Sequence, residues 1–213
     1  MKPQDDTEYI HSLISQGEHQ QQDFKFEISD ARKIARTLSA FANTQGGRLL
    51  IGVKDNGRIA GVRSEEESYM MEAAATLYCR PAVTCQLHIY RAEGRHVLVA
   101  QVEESVHKPV CAIDEDGQCL AYLRIKDENI LATPVHLRIW QQNARAEGEL
   151  TTYTQRERQV LDALREHGLL SLNRCCRLAR LPRRTGEQLM AKLVRYGLAE
   201  PVFEGHKFLF RLK

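Results

Sequence analysis

Between Asp30 and Val53 the sequence changes its period at a pair of glycines, and that junction restricts the fold more than any other stretch. Ile34, Leu38 and Phe41 recur at i, i+4 and i+7, which predicts a helix over 31–44 with an apolar stripe. Asp30 stands where its carboxylate can accept the free amides of the first turn. Gly46-Gly47 end the helix, because the residue after a helix often needs positive φ. RLLIGV then reads as a buried strand. A helix followed at once by an apolar strand calls for a layered packing of helices on sheet.

The flanking sequence extends this pattern without regular strand-helix alternation. A helix is expected over 7–17 and a half-buried strand over 22–28, with Phe24, Phe26 and Ile28 on one side. Asp55-Asn56-Gly57 has the chemistry of a tight turn. A helix around 64–79 stops before Pro81, and strands follow at roughly 83–91 and 95–102. The run Asp114 to Gly117 turns into the strand CLAYLRI, and Pro134 opens a helix through about Asn143. These elements describe a mixed α+β domain. Neither GxxxxGK[ST] nor GxGxxG occurs, so a P-loop nucleotide site has no support.

The C-terminal segment has a different character. Helices are expected over 155–167, 172–179 and 183–196, followed by two strands around a turn at Glu204-Gly205-His206. Helix, helix, turn, helix and two-stranded wing is the order of a winged helix-turn-helix. The expected organisation is therefore a first domain over 1–145, a linker over 146–153 and a winged helix over 154–213. Formal net charge is +2, yet residues through 150 carry 17 Lys+Arg against 22 Asp+Glu, whereas the rest carries 13 against 6. An acidic body joined to a basic tail points the tail at a polyanion. Duplex DNA is the expected partner. Arg183, Arg184 and Thr185 sit at the amino end of the third helix, where such folds enter the major groove. Lys192, Arg195, His206 and Lys207 are expected to grip the backbone, with Arg174, Arg177 and Arg180 flanking the groove.

Two other classes find little in the residues. The first ten residues are polar and acidic, unlike a secretory segment, and no apolar stretch is long enough to span a bilayer, so a cytoplasmic location without membrane contact is expected. Six cysteines show no CxxC pair, which favours reduced thiols over zinc or disulfides.

The words GEHQQQDFKFEI and LSAFANTQGGRLLIGVKDNGRIAGV resemble the Schlafen AlbA-like domain over about residues 8–145. The resemblance implies nucleic-acid handling, and bacterial members often carry a helix-turn-helix after this domain. In nuclease members three carboxylates form a metal-assisted RNA-cleaving site. By position these fall on Glu18, Asp23 and Asp55, which would hold Mg²⁺ or Mn²⁺ to activate water. Asp23 stands where that pattern has Glu, and Glu18 and Asp23 converge only if the chain bends within Gln20–Gln22. Alternatively, Asp23 pairs with Lys25 and Asp55 only forms a turn. The family is also labelled ATP-binding, although no phosphate loop is present. Ser39, Asn43, Thr44, Gly46 and Gly47 are the candidates for a ligand, or equally the builders of a helix-to-strand turn. The leading expectation is a homodimeric DNA-binding transcriptional regulator; the alternative is a divalent-metal endoribonuclease acting on structured RNA.

Overall fold

The helix-glycine-strand junction organises the first of two units in the computed structural model, which describes residues 6–62, 66–143 and 154–213. The units are Met1–Leu131 and Ala132–Lys213. In the first, α1 (Asp6–Ile14) and β1 (Gln22–Lys25) precede α2 (Ala31–Asn43) and β2 (Gly47–Ile51). Then come α3 (Glu66–Thr76), β3 (Cys79–Arg80), β4 (Cys85–Ala92) and β5 (Arg95–Val102). A last run of short strands is β6 (Cys111–Ile113), β7 (Cys119–Ile125) and β8 (Glu128–Leu131). The fold is mixed α+β, as expected.

Two four-stranded sheets result. One has the order β1-β2-β5-β4, with β1 and β2 parallel and the other neighbours antiparallel. The other has the order β3-β6-β7-β8, antiparallel throughout. Helix α2 packs against strands of both sheets and against α3. One apolar stripe was expected for it, yet ten of its thirteen residues are buried. A helix that leaves only Arg32, Lys33 and Arg36 toward solvent is a core element, and its small residues Ala35, Ser39, Ala40 and Ala42 permit close approach. Leu49 and Ile51 of β2 join Ile34, Leu38 and Phe41 in this core. Ile10 and Leu13 of α1 cover the opposite face of the first sheet, over Phe24, Leu50, Val97 and Val99.

The junction behaves as its residues demand. Asp30 is extended and accepts the Arg32 amide at 2.8 Å, capping α2. Gly46 has φ +69°, and a Cβ there would lie 2.7 Å from the Val102 carbonyl oxygen. At Gly47 a Cβ would come within 2.5 Å of the Phe41 ring. The strand β6 is the first arm of the hairpin expected to turn at Asp114–Gly117. The strands β3 and β8 were not anticipated, because with two and four residues they are too short to show alternation.

The second unit contains α4 (Pro134–Asn143), α5 (Gln155–His167), α6 (Leu172–Leu178), α7 (Arg183–Arg195) and the hairpin β9 (Ala199–Glu204) and β10 (Lys207–Leu212). Its core joins Val160, Leu164, Cys175, Met190, Leu193 and Phe210. Val135 of α4 is buried in the same cluster. The boundary by contact thus falls after Leu131 and not at residue 145, because α4 buries its apolar face against α7. The linker expectation over 146–153 lies outside the described residues. A Cβ at Gly186 would collide with the Cys176 sulfur, so glycine lets α6 and α7 approach closely. Leu170 and Phe210 exchange backbone hydrogen bonds of 2.9 and 2.7 Å, fastening the hairpin to the α5–α6 connection. Gly205 and His206 both have φ 56° at its tip, as a two-residue hairpin turn requires. No described helix is long and apolar enough to cross a membrane, and all six cysteines are free.

Candidate nucleic-acid interface and carboxylate centre

Glu18 and Asp23 come together because the chain reverses between them. His19 and Gln22 exchange backbone hydrogen bonds of 2.9 and 3.1 Å, closing a tight turn across Gln20-Gln21. The bend required by their five-residue spacing is therefore present. Glu18 Oε1 accepts the Phe24 amide at 2.9 Å, and its carboxyl is near enough to Asp23 for each to shift the other. Burial, then the hydrogen bond to Asp23, push the Glu18 pKa up against the pull of the Phe24 amide and Lys25. Burial would also raise Asp23, but the Glu18 hydrogen bond and the charges of Arg124 and Lys25 reverse this and hold it below the ordinary value.

Asp23 is also held by cations. Its Oδ1 lies 3.0 Å from Arg124 Nη2 and its Oδ2 2.9 Å from Lys25 Nζ. Arg124 comes from β7, while Asp23 is on β1, so this pair ties the two sheets together. The same guanidinium donates to the Gln22 carbonyl at 3.2 Å and to Asn129 Oδ1 at 3.0 Å, and it lies over the Phe41 ring. Asn129 in turn donates to Thr37 of α2 at 2.9 Å. His19, beside this network, has its pKa lowered by burial and then by the charges of Arg48 and Arg124.

Asp55 is placed differently. It sits exposed in the turn over 54–57, where Gly57 N–H donates to the Lys54 carbonyl at 2.7 Å. Among the described residues no three His, Cys, Asp or Glu side chains form a group able to hold a metal ion. The structure thus brings Glu18 and Asp23 together and leaves Asp55 in its turn.

Ser39 and Asn43, the leading ligand candidates, already have partners within the fold. Ser39 Oγ donates to the Val110 carbonyl at 2.8 Å and accepts the Tyr122 amide at 3.1 Å. Asn43 Nδ2 donates to the Val110 and Tyr122 carbonyls at 2.7 and 2.9 Å, and its Oδ1 accepts the Val110 amide at 2.8 Å. These bonds complete the backbone of β7 and the segment before β6. Thr44 Oγ1 donates back to the Ala40 carbonyl at 2.7 Å, and Gly46 and Gly47 form the close turn described above.

In the second unit Arg174, Arg177, Arg180, Arg183, Arg184, His206 and Lys207 are exposed, while Thr185 and Arg195 are half-buried. Arg183 Nε donates to Glu187 Oε1 and its Nη1 to Asn173 Oδ1, both at 3.1 Å, with 62% of the side chain still exposed. Lys192 departs from its expected place on a phosphate. Its ammonium donates to the buried Glu157 Oε1 at 2.7 Å, drawing it away from solvent. Thr154 and Glu157 form a capping box at the start of α5. The Lys192 and Thr154 hydrogen bonds outweigh burial and hold Glu157 down at about 2.

The family profile described as Schlafen, AlbA_2 matches residues 18–133. The chain belongs to this family. Among solved structures it is similar to the DIP2311 protein from Corynebacterium diphtheriae, at 20% identity and a TM-score of 0.47, over 76% of this chain and 38% of that one. It is also similar to the N-terminal domain of a protein from Nitrosomonas europaea described as related to the ATP-dependent DNA helicase RecG, at 19% identity and a TM-score of 0.43. That match covers 71% of this chain and 96% of the other. The chain therefore spans 38% of the length of the Corynebacterium protein. No curated protein matches it.

The profile ends near the unit boundary, so the Schlafen domain corresponds to the first unit. Its carboxylates do not fit a divalent cation. A hard cation takes six or more oxygens, whereas Asp23 is shared by two cationic side chains and Asp55 lies in its own turn. Sequence reading missed Arg124 in this Schlafen domain; its signal was a lone charge within the apolar strand CLAYLRI. It also missed Glu157 and Glu187, which take up Lys192 and Arg183.

Proposed function

We propose that the chain binds duplex DNA through its second unit, folded as a winged helix-turn-helix, and serves as a transcriptional regulator. The observation that carries this reading is the concentration of exposed arginines around the amino end of α7. Arg183 and Arg184 open the helix, Arg174 and Arg177 stand on α6, and His206 and Lys207 tip the hairpin. Three helices followed by an antiparallel hairpin supply the corresponding architecture. From Thr151 onward the chain carries 13 Lys+Arg against 6 Asp+Glu, the opposite sign to the balance of the preceding residues, which points this end of the chain at a polyanion.

In this reading α7 lies in the major groove. Arg184 reaches bases or phosphates freely, and Arg183 does so by exchanging its Glu187 and Asn173 partners for the nucleic acid. Lys192 is withdrawn from the interface by Glu157. Two copies bind a two-fold symmetric site, as the symmetry of most such operators favours.

Fluorescence anisotropy with the full chain and a pool of labelled duplexes tests the proposal. Arg184→Ala weakens duplex binding by about 1–3 kcal/mol, while Lys192→Ala leaves affinity nearly unchanged. Equal affinity for wild type and an Arg183→Ala/Arg184→Ala variant contradicts the assignment. Sedimentation at micromolar concentration checks the dimer; a monomer that binds one half-site contradicts that part.

A further inference from the structure

We infer that the Schlafen domain of this chain has a carboxylate centre neutralised from within, which takes up no divalent cation and cleaves no nucleic acid. The inference is independent of DNA binding by the second unit, since it concerns only residues of the first.

Three independent obstacles keep a metal from this centre. The first is occupancy. Arg124 presents its Nη2 to Asp23 Oδ1 at 3.0 Å, on the carboxylate a cation would have to approach. Only 2% of the Arg124 side chain is exposed, and Gln22, Asn129 and the Phe41 ring hold the guanidinium in place. It has no solvent into which to withdraw, and an arginine cannot lose its charge. A divalent ion at Asp23 would therefore face a fixed like charge at close range.

The second obstacle is ligand supply. Glu18 spends one oxygen on the Phe24 amide, while Lys25 Nζ stands 2.9 Å from Asp23 Oδ2. Mg²⁺ and Mn²⁺ need about six oxygens, several of them water, and Asp23 is too enclosed to admit that shell. The third obstacle is the missing partner. Asp55 is exposed on its turn and joins no cluster with the other two carboxylates among the described residues.

The centre does other work. One guanidinium joins β1, β7 and β8 and lies against α2, so its charge binds the two sheets together. Hydrolysis by metal-activated water has no place to begin, and a nucleic acid bound by this chain leaves intact.

Mn²⁺ is the probe, because its paramagnetic resonance signal reports the free ion directly. The full chain at a hundred micromolar is titrated with MnCl₂ alongside Asp23→Asn and Glu18→Gln, and each is incubated with a structured RNA and Mn²⁺. The expected result is a free-ion signal the same for all three proteins, and uncut RNA. Any weak uptake shared equally by wild type and both variants places the ion on other surface carboxylates and upholds the inference. One equivalent of Mn²⁺ bound by wild type and lost in Glu18→Gln overturns it. So does Mn²⁺-dependent RNA cleavage abolished by the same substitution. Glu18→Gln serves as the second variant because Glu18 is half-exposed and its loss leaves the Asp23–Arg124 pair in place.

Discussion

At Asp23 and Arg124 opposite charges lie 3.0 Å apart with 5% and 2% of their side chains exposed. Removing Arg124 leaves the buried Asp23 with only the half-exposed Lys25 to offset its charge, and breaking a buried pair costs about 3–5 kcal/mol. Arg124→Met is expected to lower unfolding free energy by that amount in a urea titration. Adding Asp23→Asn to it should restore part of the loss, because neither charge is then stranded. Fully additive losses would mean that the two side chains do not act as a pair. A second residue-scale consequence concerns acid. Burial lowers the His136 pKa from 6.5 to about 4, and the Lys192 and Thr154 contacts lower Glu157 from 4.5 to about 2 against burial. The unfolded chain binds protons at each group before the folded one does, so stability falls as pH falls. The His136 contribution is complete above 6.5 and is lost toward 4, while that of Glu157 is complete above 4.5 and is lost toward 2. Melting curves against pH should show His136→Phe flattening the first window and Glu157→Gln the second. Identical pH profiles for wild type and both variants would contradict these assignments.

At the scale of elements, α2 shows why some of the fold was legible and some was not. Its apolar period, the Asp30 cap and the double glycine are local signals, and helix, cap and following strand stand where those signals place them. The role of Asn43 was not legible, because its partners Val110 and Tyr122 lie 67 and 79 residues away. An asparagine before a glycine turn looks the same whether it meets a ligand or a strand. Similarly, Lys192 and Glu157 are 35 residues apart, and neither reveals in sequence that the other claims it. Helices α5 and α7 were readable for the opposite reason: each has its own apolar stripe and a glycine just beyond its end. Asn43→Ala tests the long-range bonds. It removes a donor from the Tyr122 carbonyl and the acceptor of the Val110 amide, while the Val110 carbonyl keeps Ser39, and should cost about 1–3 kcal/mol for the unsatisfied groups. Hydrogen exchange should then rise at Val110 and Tyr122; unaltered exchange there would mean these bonds do not hold the strand.

Over the whole molecule, the charge divides along the chain: 17 Lys+Arg against 22 Asp+Glu through residue 150, and 13 against 6 thereafter. The acidic Schlafen domain keeps its most buried carboxylate neutralised, whereas the basic unit leaves most of its arginines in water. That contrast leaves the Asp23–Arg124 pair of the first domain closed to solvent and most arginines of the second unit exposed. The most direct measurement is the salt dependence of duplex binding by the full chain, compared with Arg177→Ala/Arg184→Ala. Each lost phosphate contact removes roughly 0.9 from the slope of log K against log salt. The wild type should bind steeply more weakly as salt rises, and the variant's slope should be shallower by about 1–2 for two contacts. Identical slopes, or wild-type binding that ignores salt, would contradict a phosphate-facing α6–α7 surface.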